Sequence, residues 1–257
     1  MTGRPPEADA MDRAIIHPSE PPGRMAADTE DGRGITSWTD ARSSLDGLPG
    51  GHGLNIAHEA VDRHATGARR DHAALRIVAR DGSTADLTYG ELRASTNRFA
   101  NALSSLGVAR GAAVFVLLDR SAALFVSVLG AFKHGNVVTP LFPAFGPQPV
   151  RQRLLAGHAR VLVTTPSQYR RKIEPMRPEL PDLDHVLLAG RPTGSLPEGA
   201  QWLDEALDAA DETYEIPPTE PEEPALAHFT SGTTGAPKGA IHVHEAVVAH
   251  LATSAWA

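Results

Sequence analysis

The chain has 257 residues, no cysteine and a formal net charge of −7. That length allows one large α/β domain or two small ones. The missing thiols exclude disulfides, thiolate metal sites and cysteine nucleophiles, which suits a reducing cytoplasm, and the negative balance argues against a nucleic-acid binder relying on phosphate attraction. Membrane insertion is not expected, because the longest apolar stretch, Ala122 to Phe132, is too short to span a bilayer and the N-terminus lacks the apolar core of a signal peptide.

Residues 1–35 are rich in Pro, Gly and charge without apolar periodicity and read as a disordered tail. Anchors begin at Ile35, with Trp38 the first large one. Leu54, Ala57, Val61 and Ala65 recur at helical spacing. The stretch from Ala74 to Thr88 predicts two short strands around an Asp81-Gly82 turn. Thr88 and Glu91 form a capping box for a helix whose Leu92, Phe99, Leu103 and Leu106 share a face, and Gly107 sits where a left-handed C-cap belongs. Apolar runs of strand length then alternate with helical patterns: AAVFVLLD, a helix from Ser121, VVTPL, a helix from Val150 to Ala156, RVLVTT, a helix from Ser167 to Met176, and DHVLLAG. This alternation predicts an α/β fold with a mostly parallel sheet covered by helices on both faces. Between Asp204 and Glu223 lie nine carboxylates and no Lys or Arg, so removing that run from −7 leaves the rest at +2. The run, around Pro217, Pro218, Pro221 and Pro224, reads as a solvated loop. A further strand, ALAHFT, leads into the most informative segment.

That segment is HFTSGTTGAPKGAIHVH, His228 to His244. Ser231, Thr233 and Thr234 offer hydroxyls, Gly232 and Gly235 let the backbone aim N–H groups into one concavity, and Pro237 fixes the chain ahead of Lys238. Such a nest with a nearby ammonium suits a polyphosphate. A surface turn of the same composition with no ligand is the alternative. A Walker loop is excluded, since Lys238 lies between Pro237 and Gly239 rather than ahead of Ser or Thr. GAIHVH alternates like a strand, so the loop is expected to join two strands, with a helix from Glu245 to Ala255. His228, His242, His244 and His250 raise a zinc site, but no cysteine or carboxylate completes a ligand spacing.

FTSGTTGAPKG, Phe229 to Gly239, resembles the phosphate-loop signature of the AMP-forming adenylating enzymes, which include acyl-CoA synthetases, peptide-synthetase adenylation domains and luciferases. His244 falls where that family usually has a histidine. LNIAHEAVDRHA and VVTPLFPAFGPQPVRQRLLAGHARVLVTT resemble the corresponding stretches of acetyl-CoA synthetases, so the resemblance covers residues 36 to 257. It implies ATP, Mg2+ and CoA as reaction partners of a small, acetate-like carboxylic acid, which becomes an acyl-adenylate and then an acyl-CoA. It also implies that Thr230, Ser231, Gly232, Thr233, Thr234, Gly235 and Lys238 hold the β- and γ-phosphates, that Thr230 lies beside magnesium, and that His244 lies near the substrate end of the nucleotide site. A medium-chain or aryl acid ligase and a non-catalytic nucleotide-binding remnant are the alternative functions. Family members are about twice this length, and their catalytic lysine matches no residue here. The chain is therefore expected to be the N-terminal portion of such a ligase, inactive alone, with a separate chain as one source of the remainder.

Overall fold

The computed structural model describes residues 35–79, 81–190, 195–231 and 237–256. The proposed tail thus lies outside the described residues, apart from the buried Ile35. In chain order the elements are α1 (Trp38–Ser43), α2 (Arg63–Ala65), β1 (Ala73–Val78), β2 (Thr84–Thr88), α3 (Tyr89–Ser105), β3 (Ala113–Leu117), α4 (Ala122–His134), β4 (Val137–Pro140), α5 (Pro147–Ala156), β5 (Ala159–Thr164), α6 (Pro166–Gln168), β6 (His185–Leu188), β7 (Ala200–Trp202), α7 (Leu203–Asp208), β8 (Pro224–Ser231), β9 (Pro237–Val243) and α8 (Ala246–Trp256). A π-wound turn, His58–Asp62, runs into α2, and a second, Tyr169–Ile173, continues α6. These turns break the regular helices expected over both stretches, although Leu54, Ala57, Val61 and Ala65 are all buried as their spacing predicts.

A seven-stranded sheet has the order β7-β6-β5-β3-β4-β8-β9, and only β9 runs antiparallel to its neighbour. β1 and β2 pair separately as the hairpin expected around Asp81-Gly82. The central strands read as unbroken apolar runs because both of their faces are covered. On β3, Val114 and Val116 enter the core shared with α3 and α4, while Phe115 and Leu117 enter the core shared with α5 and the Tyr169–Ile173 turn. Val161 and Val163 of β5 face the first core and Leu162 the second.

Helix α3 carries the predicted capping box: the Glu91 N–H donates to Thr88 Oγ1 at 3.2 Å and the Thr88 N–H to Glu91 Oε2 at 2.8 Å. The Thr88 backbone N–H, and then its hydroxyl, which donates to Glu91 Oε2 at 3.0 Å, favour the ionised Glu91 and lower its pKa. Gly107 has the left-handed φ of 70° its place predicted. The outer side of α3 also holds the acidic run. Asn97 Nδ2 donates to the Glu212 carbonyl at 2.8 Å, and Asn101 Nδ2 to those of Asp211 and Thr213 at 2.7 and 2.8 Å. Arg110 reaches the Pro218 carbonyl at 3.0 Å and the Glu223 carboxylate at 3.2 Å. The segment is therefore a strap whose carbonyls are tied down, not a freely solvated loop, and it starts in the short helix α7.

Candidate phosphate site on the β8–β9 hairpin

Strand β8 alternates. Ala225 and Ala227 are buried, and Phe229 stacks on Phe115 with ring centres 6.2 Å apart. Phe229 packs on the core of α5, which turns His228 and Thr230 to the opposite face, while Ala225, at an irregularity of the strand, shares the other core with Leu226. Its antiparallel partner β9 places Lys238 directly across from Thr230 and Pro237 across from Ser231. Thr230 and Lys238 are both exposed, and Thr230 Oγ1 donates to the Lys238 carbonyl at 3.4 Å. Among the described residues Lys238 forms no ion pair, so its ammonium is available to an anion. The pairing closes at Ser231, the carboxyl end of a parallel strand, which is where ligands bind in open α/β sheets. Gly232, Thr233, Thr234 and Gly235 lie outside the described residues between these paired ends.

His244 sits elsewhere. It follows β9 at the end away from the loop, six residues from Lys238, or about 20 Å along an extended strand. It is 1% exposed, its Nδ1 accepts the Ile56 N–H at 3.2 Å, and its ring meets Phe132 edge-on with centres 6.0 Å apart. That bond fixes the proton of the neutral ring on Nε2. Burial drives the pKa down to about 4, opposed by Glu223 and helped by Arg110. The unfolded chain takes up this proton near pH 6.5 and the folded chain only near 4, so the contribution to stability is complete above 6.5 and lost as pH falls through 4. The difference corresponds to about 3 kcal/mol. His244→Asn is expected to flatten the fall of stability over this window, measured by urea unfolding at stepped pH. Equal slopes for the two proteins would remove His244 from the acid response.

Of the four histidines weighed for zinc, the fold brings together only His228 and His242, with ring centres 5.8 Å apart. Among the described residues no group of three or more possible ligands could hold a metal, and no helix is long and apolar enough to cross a membrane. A charged cluster that no local motif announced lies behind the sheet. Lys133 of α4, completely buried, donates to Asp62 Oδ1 at 2.6 Å and to Asn97 Oδ1 at 2.7 Å.

Residues 61–257 match the family described as AMP-binding enzyme. The chain belongs to that family. Within it, this chain is 38% identical over 208 residues to the acetyl-coenzyme A synthetase of Bacillus subtilis (strain 168), covering 79% of this chain and 35% of that protein. It is 34% identical over 217 residues to the acetyl-coenzyme A synthetase of Methanothrix thermoacetophila, covering 79% and 33%. Among solved structures, the acyl-CoA synthetase of Brucella canis superposes with a TM-score of 0.72 at 33% identity, over 82% of this chain and 37% of that one. An anthranilate CoA ligase solved with anthranoyl-AMP gives 0.66 at 26% identity, over 75% and 35%. The chain thus spans about a third of the length of the curated relatives it matches.

Proposed function

We propose that this chain supplies the phosphate-gripping part of an acid–CoA ligase that activates a small, acetate-like carboxylic acid with ATP. The observation that carries the reading is the exposed Thr230–Lys238 pair closing a FTSGTTGAPKG segment at the end of a parallel strand, in a chain of the AMP-binding family. In the first half-reaction a carboxylate oxygen attacks the α-phosphorus of ATP, the bond to the α,β-bridging oxygen breaks, and pyrophosphate leaves with the electron pair. Charge builds on the departing phosphates, and the Lys238 ammonium with the hydroxyls and amides from Thr230 to Gly235 would stabilise it there. Thr230 would stand beside the magnesium that accompanies the phosphates, and His244, fixed as an Nε2–H donor, would line the substrate end. The CoA thiol then displaces AMP and forms the thioester. Similarity to acetyl-coenzyme A synthetases at 38% and 34% supports a short acid over the aryl acid suggested by the anthranilate CoA ligase neighbour at 26%.

Since the chain spans about a third of those relatives, the whole activity belongs to a unit completed by further sequence, in the same polypeptide or a separate one. These 257 residues alone are expected to bind pyrophosphate and ATP without forming acyl-adenylate. In calorimetric titration with pyrophosphate, Lys238→Ala should weaken binding about tenfold or more, the value of a charge-assisted contact. Equal affinity in the variant, or no binding by the unaltered chain, would remove the phosphate role. Acetate-dependent exchange of pyrophosphate into ATP by the purified chain would show instead that it is catalytically complete.

A further inference from the structure

We propose that His228 and His242 form a cross-strand site for a divalent transition-metal ion of the imidazole-preferring kind, Zn2+, Ni2+ or Cu2+. The antiparallel register sets Leu226 opposite His242 and His228 opposite Ala240, so the two histidines are diagonal neighbours on one face of the hairpin. Their rings stand edge to face, 87° apart, with centres separated by 5.8 Å. Two imidazoles on one ion, with metal–nitrogen bonds of ~2.0–2.1 Å, have ring centres roughly 5–6 Å apart. The backbone therefore already holds the pair at chelating separation, and rotation about the side-chain torsions turns both lone pairs inward.

Among the described residues neither ring makes a hydrogen bond, so no competing partner must be displaced. The charged side chain that shares this face of the hairpin is Lys238, one register step nearer the loop, and it opposes a cation. With two protein ligands and water completing the shell, the site is weaker than a four-ligand structural zinc site. It would also clamp β8 to β9 two residues from the Thr230–Lys238 pair, and so restrain the hairpin that carries the phosphate loop.

The test uses the full chain without nucleotide, so that its outcome is independent of the phosphate reading. Calorimetry with Ni2+ and Zn2+ is expected to show one equivalent bound, absent with Mg2+, and a melting temperature that rises with Ni2+ concentration. His228→Asn and His242→Asn should each lower the affinity at least about tenfold, while His250→Asn, an exposed histidine on α8, leaves it unchanged. The double variant tests the same point where a single substitution disturbs the strand. Absence of metal binding overturns the site, and binding by the double variant equal to that of the unaltered chain overturns it and assigns the ion to the chain's other histidines.

Discussion

Lys133→Met is expected to destabilise the protein by about 3–5 kcal/mol, the cost of stranding a buried charge, which in a chain of this size lowers the melting temperature by roughly 10 °C. Lys133 is fully buried, and its ammonium joins three elements: its own helix α4, Asp62 on the π-wound turn, and Asn97 on α3. Asn97 in turn holds the acidic strap through the Glu212 carbonyl. Methionine fills nearly the same volume, so the loss falls on Asp62 and Asn97, left buried at 7% and 2% exposure without their donor. Desolvation pushes the Lys133 pKa down to about 8 despite the attraction of Asp62, so the pair does not fully offset its own burial. Two consequences follow from that imbalance. Asp62→Leu with Lys133→Met should cost much less than the sum of the single changes. The unaltered protein should gain stability relative to Lys133→Met as pH rises from 8 to 10.5, because the unfolded lysine holds its proton over that range while the folded one releases it. Thermal and urea unfolding of the four proteins measure both effects. A single-variant loss under about 1 kcal/mol would mean that Asp62 finds another partner, Arg93 being nearest at 3.9 Å.

Gly53→Ala has the second largest expected effect, about 3 kcal/mol or more, the sum of backbone strain and steric overlap. Gly53 has φ +99°, and a Cβ there would stand 1.8 Å from the Thr219 carbonyl oxygen, which is backbone and cannot swing aside. The left-handed backbone costs an L-residue about 1–2 kcal/mol, and the overlap adds a comparable amount. The substitution must also part the pairing in which Leu54 N–H donates to Thr219 O at 2.9 Å and Thr219 N–H to His52 O at 3.0 Å. That pairing fixes the end of the acidic strap just before β8, so hydrogen exchange in residues 209–223 should rise together with the loss of stability. Gly51→Ala is the control. Gly51 has φ +74° but nothing within 4 Å of the place a methyl would take, so it should lose only the conformational share. Equal losses in the two variants would show that the strap's contact with Gly53 contributes little.

Where the signal was local, the sequence was enough. The β1–β2 turn, the Thr88–Glu91 capping box, the Gly107 cap and the strand–helix alternation each depend on residues a few positions apart, and all appear in the structure. The hairpin that bears Thr230 and Lys238 was legible for the same reason, since its flanking strands alternate visibly on either side of eleven consecutive residues of motif. β7 and α7 were not read, because a three-residue edge strand and a six-residue acidic helix show too little periodicity to stand apart from the run of carboxylates around them.

What the sequence by itself determined is therefore the class of the fold, the hairpin that bears Thr230 and Lys238, and the resemblance to adenylating enzymes, because each is written in short-range order. The tertiary structure alone decided the strand order, the burial of His244 against Ile56 and Phe132, the Lys133–Asp62–Asn97 cluster, the fastening of the acidic strap, and the pairing of His228 with His242. Each joins residues that are separated along the chain and meet only once the sheet closes, and periodicity within one element carries no information about which other element will face it.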